Sequence, residues 1–326
     1  MKIIFYGLIV FLTISACAKK VKETTLFRFS HNDQWGYMYS DGTIAIQPQW
    51  KMAYDFSEDR AAVLTESGWS FITPAGEYIT EMRFEDVGTF HERLVPVKIN
   101  DLWGYVSDSG NMIIRPQFRE GRDFHNGRAA VRLGNKWGFI DEIGNVAIKP
   151  TFVTCKDFSE GFAAVVSGDK WGYVSPKGNV VISAQYHNAR NFSEGYAAVM
   201  INGKWGYISN TGTMVVPASY DYVNDFSEGK AAVQNQLLWG FILPTGEFII
   251  PLTYVSSSYP STIGDFHEGL VAVEQGGAWG FVDVEGTVKI PAEFEEAGAF
   301  FKGIAPVMKD GRFFYITKNG KEILPK

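Results

Sequence analysis

The sequence predicts an all-β protein built from nine copies of one small unit. Tryptophan returns every 34 residues along most of the chain, with one interval of 40. Short apolar or aromatic runs between the tryptophans are separated by Gly, Asn and Asp, which is typical of antiparallel hairpins. A fixed period of this size indicates a tandem array of one supersecondary unit. The repeated tryptophans are Trp35, Trp69, Trp103, Trp137, Trp171, Trp205, Trp239 and Trp279.

Each unit is predicted to be a three-stranded antiparallel meander. Its first strand is an Ala-Ala-Val segment, and its middle strand carries Trp, Gly, an aromatic residue and an aliphatic residue or Met. Side chains alternate between the two faces of a strand, so both faces of this one are apolar. We therefore expect each sheet to lie between two others, with the Gly allowing a neighbouring layer to come close, and the tryptophans to be buried.

The third strand of each unit is bounded by two recurrent residues. Gly lies seven positions after the Trp position in all nine units, which predicts a turn with positive φ. An apolar pair follows, and then usually Pro, which cannot donate to a β-ladder, so the strand is predicted to stop there. After the Pro, a Phe closes a loop that usually reads Ser-Glu-Gly before the next Ala-Ala-Val strand.

The two ends of the array fix its phase. Phe27 to Phe29 occupy a first-strand position, and Leu324-Pro325 end the third strand of a ninth unit, in which Phe313 replaces Trp. The chain thus holds nine whole meanders, stacked as an open spiral or a propeller-like ring. A propeller latched by pairing its first and last strands would contain a split unit, so an open spiral or an unlatched ring is favoured. Unit 2, with Ser70 in the Gly position, is expected to be locally loose.

The repeated motif resembles the WG repeat family, also called KWG repeats. The similarity rests on Trp-Gly with its following aromatic and aliphatic residues, the turn Gly, the apolar pair with Pro, and Phe-Ser-Glu-Gly before Ala-Ala-Val. It covers residues 27–326. The resemblance implies a β-rich array, common in bacterial envelope proteins, without an activity shared by the whole family. The full tripeptide occurs at Lys136-Trp137-Gly138, Lys170-Trp171-Gly172 and Lys204-Trp205-Gly206.

The first residues indicate a lipoprotein. Residues 1–16 have one Lys, an apolar run and then small residues, as in a secretory signal peptide. The segment from Ile14 to Cys17 looks like a bacterial lipobox, which predicts lipidation of Cys17; the alternative is an ordinary leader with an incidental Cys. Residues 17–26 would form a lipidated tether to the repeat domain, 27–326. Buried acyl chains can hold a protein to a membrane without a spanning helix.

The predicted cellular location and the net charge of the mature chain limit the kinds of partner. Ala18 stands where Asp would favour retention in the inner membrane, so the outer membrane is the predicted location by analogy. Removing residues 1–16 leaves 29 basic and 36 acidic residues, a net charge of −7, which argues against nucleic acid as a partner. Cys155 is the only other cysteine, so no intrachain disulfide can form.

Nothing in the spacing of chemically reactive residues predicts an enzyme, a metal site or a cofactor. His91, His125 and His267 all occupy the Ser position after the closing Phe, and His31 and His187 lie in loops. The Glu residues of the Ser-Glu-Gly segments likewise share one position, which favours a structural role in the turn over catalysis.

Function is expected where the repeat varies. The position before Ala-Ala-Val changes from unit to unit, and stacking would align its side chains in a ladder that could bind a macromolecule if exposed, or form a half-buried rim if not. A second candidate is the insertion in unit 7, with Ser256, Tyr259 and Pro260. The ladder consists of Arg60, Leu94, Arg128, Phe162, Tyr196, Lys230, Leu270 and Ile304.

The leading hypothesis is a non-enzymatic envelope lipoprotein that acts as a protein-binding or scaffold module for another envelope protein. The alternative is a lipoprotein that binds glycan or peptidoglycan. Its motivation is the envelope address together with aromatic residues outside the repeat framework: Tyr39, Tyr78, Tyr222 and Tyr259.

Overall fold

Nine small antiparallel sheets follow one another along the chain in the computed structural model, which describes residues 25–255 and 263–326. The first three blades contain β1 Phe27–His31, β2 Gln34–Met38 and β3 Ile44–Trp50; β4 Met52–Ala53, β5 Ala61–Thr65 and β6 Gly68–Ile72; β7 Asp86–Val87, β8 Leu94–Ile99, β9 Leu102–Ser107 and β10 Met112–Phe118. The next three contain β11 Glu120–His125, β12 Arg128–Leu133, β13 Lys136–Ile140 and β14 Val146–Phe152; β15 Ala163–Ser167, β16 Lys170–Val174 and β17 Val180–Tyr186; β18 Asn188–Ser193, β19 Tyr196–Ile201, β20 Lys204–Ser209 and β21 Met214–Tyr220. The last three contain β22 Tyr222–Val223, β23 Ala231–Asn235, β24 Leu238–Ile242 and β25 Phe248–Val255; β26 Leu270–Gln275, β27 Ala278–Asp283 and β28 Val288–Phe294; β29 Glu296–Ala297, β30 Ile304–Lys309, β31 Arg312–Thr317 and β32 Glu322–Ile323.

The sheets form a closed nine-bladed β-propeller rather than an open spiral. Blade 1 packs on blade 9: the ring of Phe27 lies 5.5 Å from that of Tyr315, and Trp35 lies 6.0 Å from Phe313. The backbone N–H of Lys326 donates to the Gly42 carbonyl at 2.8 Å. Among the described residues every sheet is made of consecutive strands, so the first and last blades exchange none. The predicted absence of a split unit is confirmed, and the ring closes without one.

The predicted meander needs one addition. Six of the nine sheets in the described part of the chain have a short extra strand before the Ala-Ala-Val strand, as β4 does in blade 2. The segment before the Ala-Ala-Val strand ends in a two-residue hairpin turn, which contains the Glu of the Ser-Glu-Gly segment in six units and Asn126 in blade 4. The Glu and the residue after it both have positive φ, as Glu58 and Asp59 do at 48° and 58°, which defines a type I′ turn.

The third strand does not stop at Pro, contrary to the prediction. β14 and β21 run through Pro150 and Pro217. Each third strand lies at the edge of its sheet, where the missing N–H of Pro leaves no ladder bond unmade. The pairing of β20 with β21 shifts register between Trp205 and Tyr207, whose partners Tyr220 and Val216 lie on either side of Pro217, so the edge strand bulges at the proline.

The Gly after the Trp makes room for this bulge within its own sheet. The expectation that it lets a neighbouring layer come close was therefore wrong. A Cβ on Gly206 would lie 2.4 Å from the carbonyl oxygen of Val216 in the same sheet. Unit 2, where Ser70 replaces this Gly, has no third strand but only isolated bridges, Trp69 to Phe84 and Ile72 to Tyr78. The expected looseness of unit 2 therefore has a steric cause: a side chain at this position excludes the bulged strand.

The core runs around the ring as layers between blades. One deeply buried column is the aromatic residue two positions after the Trp position, with exposures from 0% at Tyr37 to 5% at Tyr315. The predicted positive φ of the turn Gly is confirmed, with values from 78° at Gly320 to 89° at Gly144. This Gly lies against the preceding blade. A Cβ on Gly178, for example, would lie 3.4 Å from Ile148.

Candidate functional site

The predicted binding ladder lies mostly between blades. Leu94, Leu270 and Ile304 are buried, and the other five members are half-buried. Phe162 packs on the closing Phe192 of the next blade at 4.6 Å between ring centroids, and its neighbours in the ladder make similar contacts. These contacts give the column a packing role. Its use as a binding surface stays a prediction.

Two other predicted sites lie outside the described residues. The insertion with Ser256, Tyr259 and Pro260 falls within 256–262, and the lipidation site Cys17 falls within 1–24. Within residues 25–255 and 263–326 there is no helix long and apolar enough to cross a membrane.

The tryptophan column is less buried than expected. Trp69, Trp137, Trp205 and Trp239 are buried, whereas the other four are half-buried. The aromatic residue two positions later is the more deeply buried column in every blade. The remaining thiol, Cys155, is 2% exposed, and burial raises its pKa to about 12, as for an unreactive core cysteine.

An exposed apolar column appears where none was predicted. The residue nine positions after Trp begins the third strand and is apolar or aromatic in the first eight units. Val180 is 68% exposed, and four others are between 41% and 49% exposed. The remaining three, Ile44, Met112 and Met214, are half-buried against the core. We call this set the edge column, because it follows the free edge strand of each sheet: Ile44, Tyr78, Met112, Val146, Val180, Met214, Phe248 and Val288.

The exposed apolar surface around the edge column includes a groove on blades 4 and 5. A groove of about 380 Å³ runs between β14 and the following blade, with Phe152 from one side and Val180 from the other among its lining residues. The nearby Val146 and Val181 are 49% and 44% exposed. Lys149 and Lys177 line the same groove. The surface thus combines an apolar floor with positive charge, which suits a segment carrying apolar and acidic side chains.

The shared Glu position joins neighbouring blades. The N–H groups of Glu92 and Arg93 in blade 3 donate to the two carboxylate oxygens of Glu58 in blade 2, at 2.8 and 2.7 Å. Glu160 accepts in the same way from Glu194 and Gly195, at 2.7 and 2.8 Å. We call this contact the turn clamp. It satisfies two backbone donors with charge-assisted hydrogen bonds, which accounts for the recurrence of Glu in these turns.

The turn clamps also indicate which side of each blade faces the axis of the propeller. Blades of a propeller radiate from an axis, so neighbouring sheets are closest at their inner edges. A Glu side chain spans the gap from one hairpin turn to the next, and we infer that these turns are the inner edge. The edge strands, at the opposite side of each sheet, then face outward.

Acidic side chains precede the closing Phe in several blades and are held in unusual environments. Burial raises the pKa of Asp225 above its ordinary range, although Arg190, with a guanidinium nitrogen 4.0 Å away, acts in the opposite direction. Burial also raises the pKa of Asp157 and Asp265. These carboxyls lie beside the inner turns, where opposite charges from neighbouring blades partly offset the loss of hydration.

One cluster of chemically versatile side chains was not predicted from the sequence. His91 of blade 3 and His125 of blade 4 stack with ring centroids 4.5 Å apart, and Nε2 of His91 lies 4.0 Å from Oδ2 of Asp123. All three are half-buried, and their nitrogen and oxygen atoms lie within 4.8 Å of one another. The available signal was that both histidines fill the same position of consecutive units, which places them side by side in a ring.

The sequence matches the family model for the WG containing repeat eight times, at 35–69, 69–103, 103–137, 137–171, 171–205, 205–236, 239–277 and 279–313. These matches cover most of the chain. The chain belongs to the WG repeat family. No curated protein matches it in sequence.

The WG repeat chain is similar in fold to solved structures of low sequence identity. A eukaryotic initiation factor is 12% identical, with a TM-score of 0.65 over 92% of this chain and 94% of that one. Hsv2p of Kluyveromyces lactis is 10% identical, with a TM-score of 0.42 over 69% and 89%. PorZ of Porphyromonas gingivalis is 9% identical, with a TM-score of 0.35 over 92% and 50%. At such low sequence identity, the similarity to the initiation factor shows only the fold of this chain and not its function.

Proposed function

We propose that this protein is a non-enzymatic, lipid-anchored scaffold of the bacterial envelope that binds another protein through the edge column. The observation that carries the proposal is this apolar column at one position of successive blades, most exposed on blades 4 and 5. Single exposed apolar residues are ordinary on a protein surface. Their repetition beside an apolar groove is typical of an interaction surface.

The groove on blades 4 and 5 narrows the kind of partner. Its apolar lining would receive aliphatic or aromatic side chains, and Lys149 and Lys177 would pair with carboxylates beside them. The lipobox at Ile14 to Cys17 supports an envelope address for this encounter. The repeat framework accounts for most aromatic positions, for the Glu of the Ser-Glu-Gly turns and for three of the five His as structural ones, which favours binding over catalysis.

The test is a comparison of bound partners after substitution in the groove. Val146→Ser with Val180→Ser should remove a partner that the unchanged protein captures from detergent-solubilised envelope. The matched control is Leu237→Ser, which changes an aliphatic side chain that is 67% exposed outside the edge column. The purified partner must then bind the unchanged protein and the control directly. Equal binding by the double variant would refute the groove as the binding surface.

Glycan binding is the second candidate, favoured by the exposure of Tyr78 and Tyr222 at 44% and 54%. Aromatic rings of this kind can stack on sugars, but Tyr78 is already engaged. Its hydroxyl accepts a hydrogen bond from Nε1 of Trp50 at 3.0 Å, and Arg83 lies 5.1 Å from its ring centroid. Retention of the protein by pelleted peptidoglycan, lost in Tyr222→Ala, would support this candidate. Absence of retention would remove it.

A further inference from the structure

The pair of histidines between blades 3 and 4 meets a carboxylate whose direction is fixed. Oδ1 of Asp123 accepts a hydrogen bond from the backbone N–H of Thr89 at 3.1 Å. A Cβ on Gly88 would lie 2.4 Å from the same oxygen, so the absence of a side chain there makes room for the carboxylate. Oδ2 is thereby left to face His91, 4.0 Å from its Nε2.

The position of the histidines explains why they meet. In four other blades this position holds Ser, whose hydroxyl donates across the gap to the next closing Phe, as Ser159 does to the Phe192 carbonyl at 2.7 Å. The side chain at this position therefore reaches toward the following blade. His in two consecutive units brings two imidazoles into one gap between blades.

A direct ion pair explains the cluster poorly. The separation of 4.0 Å between His91 and Asp123 is too long for a hydrogen bond. The imidazole rings are tilted by 41° with their centroids 4.5 Å apart. An ion among the three side chains would supply the attraction that these contacts lack.

We propose that His91, Asp123 and His125 form a binding site for a divalent transition-metal ion of the zinc class, joining blades 3 and 4. Two imidazoles and one carboxylate are a set of ligands that Zn²⁺ accepts, with a fourth position left for water. The hydrogen bond from Thr89 to the carboxylate is the kind of outer support that orients metal ligands. Half-burial of all three leaves the site open to solvent.

Binding requires only small side-chain movements. Zinc bonds of about 2.0–2.2 Å in tetrahedral geometry separate the ligand atoms by roughly 3.3 Å. The atoms now lie within 4.8 Å of one another. Rotation of the two imidazoles toward Oδ2 of Asp123 closes this difference without a change in the backbone of either turn.

The chain contains its own control. His267 occupies the same repeat position in blade 8, and Asp265 precedes it by two residues, as Asp123 precedes His125. The neighbouring blades carry Ser227 and Phe301 at this position, so no second imidazole stands beside His267. The pair in blade 8 therefore has the same local sequence as the proposed site without its complete set of ligands.

The experiment is calorimetric titration of Zn²⁺ into the purified full chain after EDTA treatment, repeated with Co²⁺ and its visible absorption. We expect one equivalent to bind the unchanged protein and His267→Ala alike. His91→Ala, His125→Ala and Asp123→Asn should each weaken binding at least about tenfold, since even outer-shell changes commonly cost that much. Any site shared by all variants, such as a thiol, cancels in the comparison.

Two results would overturn the proposal. In the first, the three variants bind Zn²⁺ with the same affinity as His267→Ala. In the second, the unchanged protein binds Zn²⁺ no more tightly than His91→Ala does. Asp123→Asn can keep the hydrogen bond from Thr89, so its fold is disturbed least. Unfolding temperatures in EDTA identify a variant that has merely lost its structure.

Discussion

In seven of the nine blades, the glycine after the Trp leaves room for the bulge of the third strand. In blade 5 a Cβ on Gly172 would lie 2.6 Å from the carbonyl oxygen of Ile182 and 2.7 Å from the Ala184 nitrogen. Neither atom can withdraw without loss of the bulge, because both belong to the backbone of the edge strand. The neighbouring Trp171 is half-buried and tolerates contact with solvent, whereas Gly172 has no room for a methyl group.

Gly172→Ala should therefore destabilise the protein by about 1–3 kcal/mol, the usual range for overpacking. Chemical denaturation of the two proteins measures the difference. The control is Ser70→Ala in blade 2, where a Cβ is already present and only the 3.3 Å contact with Arg83 is lost. An equal loss of stability in both variants would show that the bulge does not depend on the glycine.

The buried carboxyl of Asp265 should make stability depend on pH. Burial raises its pKa above the ordinary value of 3.8, although Asn224, His267 and Arg190 act in the opposite direction. In the range between the unfolded and folded pKa values the native state binds more protons, so stability falls as pH rises through that range. The cost is complete above the folded pKa and is relieved below the unfolded one.

Asp265→Asn should flatten this part of the stability profile. Urea unfolding between about pH 4 and pH 7 gives the slope for each protein. Asp169→Asn, an exposed change in a hairpin turn, is the control and should leave the slope as it is. A slope that is the same in Asp265→Asn and the unchanged protein would contradict the assignment.

At the scale of the element, the hairpin turn is stabilised by the blade before it. A residue other than Gly with positive φ is unfavourable by itself, yet Glu160 and Glu194 adopt φ of 52° and 53°. The hydrogen bonds of the turn clamp offset this cost by uniting consecutive turns. The turn of Glu194, for example, donates to Glu160 in the blade before it and accepts from Gly229 in the blade after it.

Removing one turn clamp should loosen the following turn rather than its own. In Glu160→Ala the N–H groups of Glu194 and Gly195 lose their acceptors and should exchange with deuterium faster. Glu160→Gln keeps one acceptor oxygen and should give an intermediate rate. Mass-resolved hydrogen exchange measures both. Exchange that increases equally around the ring would indicate global destabilisation and would refute the local effect.

At the scale of the whole molecule, the ring depends on a seam without strand exchange. Leu324 to Lys326 fill the last contact: the carbonyl oxygen of Lys326 accepts from Ile44 at 3.3 Å, and its N–H donates to Gly42. Between the blades lies a cavity of about 430 Å³ lined by residues of both, among them His31 and Arg312.

Deleting Leu324 to Lys326 should open the seam before it unfolds any blade. Two backbone hydrogen bonds, each contributing about 1 kcal/mol, are lost. Spin labels on blades 1 and 9 would report a longer and broader distance distribution, while labels on blades 4 and 5 would not change. Lys326→Ala retains the backbone and serves as control. An unaltered seam distance after the deletion would show that aromatic packing alone closes the ring.

Local sequence was sufficient to predict the three main strands of each meander, the turn glycines and the phase of the repeat, but not the short extra strand or the continuation of the third strand past Pro. The constraints behind them act within one unit, such as positive φ at Gly144. Closure of the ring was left open, because it depends on small rotations summed over nine interfaces. The cluster of His91, Asp123 and His125 was missed for a related reason: its ligands come from different units, and their spacing of 34 residues looks like repetition rather than proximity.

The seam has a consequence for the history of such chains. Each blade is one uninterrupted stretch of sequence, and among the described residues no strand crosses from the last blade to the first. Unequal recombination between two copies of the repeat in the gene would add or remove whole blades and leave every remaining sheet intact. Ring size can thus change in single steps, whereas a latched propeller would have to preserve a matching pair of half-blades at its two ends.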